Sequence, residues 1–301
     1  MLDRESTFAH PEIVKLLKSE FVPVALDQAY QRRQQDTEGE FYRKIASQGP
    51  RNNFQSTTQG FYIAEPDGTL LLYNNNRDPE KVARLIREKL AGFKASQAAT
   101  KVVEAIEPKH VDPKYNPQPP AGGIVVRVRA KVLDGYRPPE SRWETIFQNA
   151  VSRDNLWITK AEHAALVEGK LPESLKTRMA RFHLVDNTRG EPPMWKIDEV
   201  RRLELVLKEG NLSGYVHLET TDAGRGYQAN ILGKIETHEG KVTRFDVVAL
   251  GDFWGQGTYT RGAPEGKFPL AVTMTLADGN DAADAIPPQG SRGWMPGYIR
   301  E

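Results

Sequence analysis

The strongest constraint on the fold of this chain is a series of β-prone segments that begins at Leu203. Each segment is rich in valine, isoleucine, threonine, leucine or aromatic residues, and turn-forming residues separate it from the next. The segments read LELVL, SGYVHLE, GYQANILGKIE, KVTRFDVVAL and FPLAVTMTLA. Because strands joined by short turns pair with their neighbours in sequence, these segments predict a five-stranded antiparallel meander.

Turn chemistry predicts the register of the hairpin that follows Gly226. A three-residue loop at 238–240, with Gly240 in the left-handed conformation, places Ile235 opposite Thr243. Side chains alternate between the two faces of a strand, so the same register predicts which residues face the core. The predicted core stripe contains Tyr227, Ala229, Ile231, Ile235, Phe245, Val247 and Ala249.

The opposite face of these strands carries the polar residues His217, Gln228 and Asn230. His217 and Gln228 are predicted to lie nearly opposite each other if the loop between their strands closes symmetrically. With a carboxylate such as Glu219, they form the candidate site of a hydrolase or a metal enzyme. The six histidines lack His-x-His or His-Glu-x-x-His spacing, and no Gly-x-Ser-x-Gly elbow is present. We therefore assign no catalytic residue, no metal and no cofactor.

Two glycine-rich stretches, GDFWGQGTYTRG and PPQGSRGWMPGY, also carry aromatic residues. Aromatic side chains supply a large contact area at a small cost in conformational entropy. Trp254, Tyr259, Trp294 and Tyr298 are therefore candidate anchors for a protein partner. The alternative is that these rings fold back and cover the open end of the sheet.

The pattern before residue 96 predicts the order helix, strand, helix, strand, strand, helix. The first helix fits His10–Ser19, and the apolar run Phe21–Leu26 (FVPVAL) is typical of a strand covered on both faces. A second helix fits Thr37–Ser47, and residues 60–73 (GFYIAEPDGTLLLY) are typical of two strands joined by a tight turn. Asp78 and the proline after it begin the last helix.

Two stretches of this region, LDRESTFAHPEIVKLLKSEFVPVALD and TQGFYIAEPDGTLL, resemble the thioredoxin-like family of the spermatogenesis-associated type. The resemblance covers about the first 95 residues and implies a thioredoxin fold that lacks its first strand. The family's Cys-x-x-Cys pair would fall just upstream of Met1, and the position of its cis-proline is occupied by Gln59. The resemblance therefore transfers no redox residue to this chain.

The chain contains no cysteine, so it has no thiolate with which to begin thiol–disulfide exchange. We expect it to be related to thiol or selenol oxidoreductases but inactive in thiol exchange by itself. We hypothesise that the reactive pair, as cysteine or selenocysteine, is encoded upstream of Met1.

A thioredoxin sheet without its first strand has a gap between the FVPVAL and GFYIAE strands. Each backbone group left buried and unpaired at such a gap costs about 1–3 kcal/mol. We expect the gap to be closed within the chain, by Ile124–Leu133 or by direct pairing of the two strands. A segment swapped from a second copy is the other alternative.

Proline-rich sequence separates two predicted domains. Residues 107–123 (EPKHVDPKYNPQPPAGG) are predicted to link a thioredoxin-like domain at 1–106 to a β-rich domain with short helices at 124–301. The predicted class is α+β, with an N-terminal α/β domain followed by an antiparallel meander. Arg127, Arg129 and Lys131 at the start of the second domain form either a solvated face or a face for an anionic ligand.

Charge and hydropathy exclude several classes of partner. The 41 basic and 40 acidic residues give a formal net charge of +1, which is too small to favour nucleic acid or an acidic membrane surface. No apolar run approaches the roughly 20 residues that cross a bilayer, and no signal peptide is recognisable, so we expect a soluble protein. Localisation and oligomeric state stay open. A redox-silent thioredoxin relative with a C-terminal binding domain, a scaffold protein and an enzyme around His217 are the remaining hypotheses.

Overall fold

The computed structural model describes residues 6–95, 117–288 and 295–300. The chain divides into two structural units, residues 2–117 and 118–301, and both units combine helices with strands. Residues 107–116 of the predicted linker lie outside the described residues.

Four helices and one β-hairpin form the described part of the first unit. They are α1 (Pro11–Glu20), α2 (Gln28–Gln31), α3 (Thr37–Ala46), β1 (Phe61–Ala64), β2 (Leu70–Asn74) and α4 (Pro79–Ala95). Strands β1 and β2 pair in antiparallel fashion, as predicted. The predicted start of α4 is also confirmed, because the Asp78 carboxylate accepts a hydrogen bond from the Lys81 backbone N–H at 2.8 Å.

The apolar core of this unit is small and lies mainly between α1 and α4. Its fully buried cluster consists of Ile13, Val82, Ala83 and Ile86. Partly buried residues pack against this cluster, namely Leu16, Leu17, Phe21, Phe61 and Ile63. The amphipathic pattern of the two helices therefore accounts for most of the burial here.

The predicted strand Phe21–Leu26 is wrong. The segment forms no strand in the described residues, and Val22 is 91% and Val24 is 70% exposed. An apolar run is covered on both faces only when strands or helices flank it, whereas the sheet formed by the described part of this unit consists of β1 and β2. The thioredoxin-like arrangement of this unit is therefore not confirmed.

The expectation that the gap closes within the chain is also wrong for the described residues. Strand β1 pairs only with β2, and it does not pair with Phe21–Leu26. The other expected filler, residues 124–133, belongs to the sheet of the second unit, because it pairs there on both of its edges.

The second unit is built on a seven-stranded antiparallel sheet. Its strands are β3 (Ile124–Val132), β4 (Asp154–Ile158), β5 (Val200–Lys208), β6 (Asn211–Glu219), β7 (Gly226–His238), β8 (Lys241–Trp254) and β9 (Lys267–Leu276). The strand order is β4-β3-β9-β8-β7-β6-β5. All five strands of the predicted meander are confirmed, and β3 and β4 extend the sheet beyond β9.

The predicted register of the β7–β8 hairpin is wrong by two residues, because Ile235 lies opposite Phe245 instead of Thr243. His238 pairs with Lys241, so the loop has two residues, and a bulge after Glu236 adds a second irregularity. Since side chains alternate with a period of two, a shift of two residues leaves the faces unchanged. The predicted core stripe from Tyr227 to Ala249 is accordingly buried.

Short helices cover the inner face of this sheet. They are α5 (Arg142–Asn149), α6 (Lys160–Val167), α7 (Glu173–Arg178), a π-helical turn (Met179–His183) and α8 (Met295–Arg300). The predicted capping box of α6 is confirmed, since Thr159 and Glu162 each bond the other's backbone N–H. The two outermost strands, β4 and β5, both contact the π-helical turn, so the sheet curves around the core. Residues 278–286 cover the outer face of this sheet over β3 and β4, where Asp278 and Asp284 pair with Arg127. Over β7 and β8 the outer face carries exposed side chains.

Candidate functional site

The outer face of the sheet collects most of the polar residues selected from the sequence. His217 on β6, Gln228 and Asn230 on β7 and Trp254 on β8 all alternate with buried core residues. The predicted pairing of His217 with Gln228 is confirmed, because the two residues are partners in the ladder. The neighbouring strands β6, β7 and β8 therefore bring these side chains to one surface.

His217 is the centre of a small hydrogen-bonded group. Its Nε2 atom lies 3.1 Å from Glu219 Oε2 and 3.1 Å from Gln228 Nε2. When Nε2 carries the proton, it donates to the Glu219 carboxylate. In the other tautomer Nε2 is unprotonated and accepts a hydrogen bond from the Gln228 amide N–H. His217 and Glu219 are half-buried, so the group is oriented but remains accessible.

Trp254 is held beside this group. Its ring centre lies 6.4 Å from that of His217, and its Nε1 donates a hydrogen bond to the Ala223 carbonyl at 3.0 Å. The Lys267 ammonium lies 4.5 Å from the ring centre, in range of a cation–π interaction. Gly226 is opposite Trp254, where any Cβ would overlap the indole ring. Trp254 therefore lies flat against the outer face instead of covering the end of the sheet.

An apolar patch lies next to the polar group on the same face. Leu232 (61% exposed), Val248 and Leu250 (49% exposed) form this outer patch. Leu232 is directly opposite Val248, and Leu250 follows Val248 by two residues on β8. Sequence reasoning missed the patch because it considered only polar residues on this face. The sequence contained this signal. In NIL on β7 and VVAL on β8, consecutive residues are apolar, so apolar side chains point to both faces of the sheet.

The outer face offers hydrogen bonds and apolar contacts but no assembled catalytic centre. No group of three or more histidine, aspartate or glutamate residues able to hold a metal occurs in the part of the chain that the structure describes. The His217–Glu219 pair would orient an imidazole, yet its other bonded neighbour is an amide and not a nucleophile.

Tyr259 occupies a different location. It is 75% exposed and forms one wall of a cleft of about 280 Å³. The other lining residues are Phe182, Val185, Glu191, Pro192, Pro193, Met194 and Thr258. Tyr259 therefore does not fold back onto the sheet, and it is separate from the group around His217.

The two remaining candidate residues are Trp294 and Gln59. Trp294 lies outside the described residues. Gln59 belongs to the first unit, where its backbone carbonyl accepts a hydrogen bond from the Tyr73 hydroxyl at 2.9 Å. No described peptide bond is cis, so Gln59 does not reproduce the geometry of a cis-proline.

A buried polar network near α8 was also missed by sequence reasoning. It includes Tyr298, so the prediction that Tyr298 is a contact anchor is wrong, because its side chain is 0% exposed. His183 Nδ1 is 2.9 Å from Asp154 Oδ2, and His183 Nε2 is 2.7 Å from the Tyr298 hydroxyl. This order of groups is similar to a catalytic relay, but the side chains are buried and a substrate has no access. Arg178 adds a bond to the Tyr298 carbonyl and a bidentate pair with Glu162. The network anchors α8 to the core.

Comparison with protein-family models, curated proteins and solved structures finds no match for this chain. Within the described residues, no helix combines the length and hydropathy needed to span a membrane.

Proposed function

We propose that this chain is a non-catalytic binding protein whose C-terminal sheet contacts a protein partner through its outer face. In this proposal the first unit is related to thioredoxin-like proteins but has no redox role within this chain. The absence of cysteine from all 301 residues supports the second statement, since exchange requires a thiolate.

The observation that carries the proposal is the outer patch of Leu232, Val248 and Leu250 beside the polar group at His217. Exposed apolar side chains that lie next to one another are typical of interaction sites, whereas single exposed ones need no explanation. Protein interfaces combine an apolar centre with a polar rim, and the two groups on this face match that division. The nearly balanced charge of the chain favours a protein partner over nucleic acid.

The polar group supplies specificity in this proposal. Glu219 and Gln228 both lie within hydrogen-bond distance of His217 Nε2, so these three polar side chains are held close together on the outer face. A partner that leaves these groups unpaired on binding incurs a desolvation penalty of about 1–3 kcal/mol per group. Partners with complementary polar groups are therefore selected.

The proposal is tested by quantitative capture of partners by chemical crosslinking and mass spectrometry. The variant L232D/L250D places two carboxylates in the outer patch, and we expect at least a tenfold loss of the crosslinked partner. The matched control is I197D, because Ile197 is similarly exposed but lies on a 3₁₀ turn before β5. Capture that is equal for the wild type and L232D/L250D, with both proteins folded, would overturn the proposal.

The second statement of the proposal, that this chain has no redox role by itself, is tested separately. In an insulin-reduction assay with dithiothreitol as the reductant, the rate with the chain should equal the rate with dithiothreitol and no added protein. Any acceleration above that background contradicts the assignment, because no thiolate is available.

The alternative of a hydrolase or metal enzyme around His217 is less well supported. The group lies on an open sheet face, and the described residues around it supply neither a metal-binding cluster nor a hydrogen-bonded nucleophile. Binding is therefore the function that this geometry favours.

A further inference from the structure

We propose that the partner of the outer face is a second copy of this chain, and that the two copies stack β7 and β8 about a two-fold axis. This inference rests on the proposed function, since it names the partner of the same surface.

The inference begins from the residues that oppose each other across β7 and β8 on the outer face. Glu236 lies opposite Arg244, and Lys234 lies opposite Asp246. The next pair is apolar, with Leu232 opposite Val248. Along this line the face thus presents two acid–base pairs and then an apolar pair.

Consider a two-fold axis that runs parallel to the strands, between β7 and β8. It places each opposed pair of one copy, such as Lys234 and Asp246, over the same pair of the other copy. It exchanges the two strands, so β8 of one copy lies over β7 of its partner. Asp246 then meets the partner's Lys234, and Val248 meets the partner's Leu232. Each pair that is complementary within one copy is reproduced between the two copies.

The charges distinguish this axis from the other in-plane two-fold axis. An axis perpendicular to the strands and centred on the outer patch stacks β8 on β8 with its direction reversed. Asp246 then meets the partner's Asp252, and two carboxylates oppose each other at the interface. Like charges in contact are unfavourable, so the axis parallel to the strands is selected. It also keeps the strands nearly aligned, as in most packed sheets.

Curvature limits the size of this contact. The sheet bends around its core, so its outer face is convex and the two copies touch mainly along β7, β8 and their immediate neighbours. Stable interfaces bury about 800 Å² on each partner, and a contact along a convex ridge is smaller. We therefore expect a weak dimer in the micromolar range, which exchanges readily with the monomer.

Sedimentation velocity over a concentration series tests the inference directly. The weight-average mass should rise from 33.8 kDa toward twice that value as the concentration increases. The single variants D246K and K234D each place like charges across the interface, and we expect each to raise the dissociation constant at least tenfold.

Two further samples separate the interface from damage to the fold. An equimolar mixture of D246K and K234D should associate again, because each contact between positions 246 and 234 of the two variants then joins a lysine to an aspartate. The double variant D246K/K234D should dimerise with itself for the same reason. Each variant is also melted, since Asp246 pairs with Arg244 and Lys234 contacts Asn211 within one copy.

The outcomes decide between this inference and the proposed function. A wild-type chain that stays at 33.8 kDa at all concentrations overturns the dimer, while loss of a crosslinked partner in L232D/L250D still supports the binding function. Dimerisation that neither charge variant weakens overturns the assigned axis. Dimerisation lost in both single variants and recovered in their mixture supports the inference.

Discussion

The two units of this chain bury their apolar residues by different means. In the described residues of the first unit, a cluster of four buried residues lies between two helices, and the sheet has two strands. In the second unit, seven strands and their covering helices share one continuous core. Both units contain apolar segments with strand-like sequence. Comparing the two cores shows that such a segment is buried only where neighbouring strands are available to pair with it.

Two apolar runs show this most clearly. The sequence patterns of FVPVAL in the first unit and IVVRVRAKVL in the second both predict strands. Val126 in the second run is 0% exposed and lies between β4 and β9, whereas Val22 in the first run is 91% exposed. The hydropathy of the two valines is the same. Their burial is decided by residues that are distant in sequence.

The largest expected effect is on the buried ion pair of the second unit. Replacing Arg178 with Met leaves the carboxylate of Glu162 buried without its bidentate partner and removes bonds to three carbonyls. We expect a loss of about 3–5 kcal/mol in the free energy of unfolding. Urea unfolding followed by tryptophan fluorescence measures this loss, and R178M/E162L is the matched control.

The double variant should recover much of the lost stability, since it removes both charges together. If R178M alone were within about 1 kcal/mol of the wild type, an error margin set by the extrapolation, the pair would not stabilise this unit as described.

The next effect concerns the anchor of α8. Replacing Tyr298 with Phe removes the hydroxyl that contacts His183 Nε2 at 2.7 Å and accepts a bond from the Trp157 backbone N–H at 3.3 Å. Two buried polar groups lose a partner, so we expect a loss of about 1–3 kcal/mol. Thermal unfolding checks this value against Y259F, in which the altered hydroxyl is exposed and stability should not change. An equal melting temperature for Y298F and Y259F would contradict the anchoring role.

Acid should weaken the second unit through Glu162. Burial raises the pKa of this carboxyl, but hydrogen bonds from Arg178, Thr159 and Ser174 outweigh burial and hold the pKa below its ordinary value of 4.5. A folded-state pKa below the unfolded value means that the stabilisation is complete above about pH 4.5 and is lost as the pH falls through the folded-state pKa. Unfolding free energies measured from about pH 6 down to pH 3 should fall more steeply for the wild type than for E162Q. Parallel curves for the two proteins would exclude Glu162 as a source of the dependence.

The smallest expected effect belongs to the exposed run of the first unit. V22T changes a side chain that is in water, so the free energy of unfolding should change by less than about 0.5 kcal/mol. The matched substitution V126T buries a hydroxyl between two strands and should cost about 1–3 kcal/mol. Chemical unfolding measures the free energy of unfolding of both variants, so the effect of the same valine-to-threonine change can be compared between the two units. Equal costs would show that Val22 is buried after all.

The sequence predicted local structure better than long-range pairing. Helix starts at Pro79 and Thr159 follow from capping residues, and the faces of β7 and β8 follow from alternation. Neither the bulge after Glu236 nor the position of β3 beside β9 has a local signal, because each depends on how distant strands pair. The strand predicted at Phe21–Leu26 was wrong for the same reason, because a strand there depends on partners that are distant in sequence.

The candidate site divides in the same way. The opposition of His217 and Gln228 could be predicted, since a short loop joins their strands. The outer patch could also have been predicted. Leu232 and Leu250 have even numbers, as Gln228 and Asn230 do, so the predicted register places all four on the outer face. The network of Asp154, His183 and Tyr298 could not, because its members come from three separate elements.

Hydrogen–deuterium exchange resolved to single amides tests most directly whether strand pairing separates the two units. The amides of Ala229 and Val247, in the centre of the large sheet, should exchange at the slowest rates in the chain. The amides of Val22 and Val24 should exchange at nearly the rate of an unstructured peptide, because the described residues provide them with no strand partner. Protection of Val22 and Val24 equal to that of Ala229 and Val247 would contradict this account, since it would place FVPVAL inside a sheet.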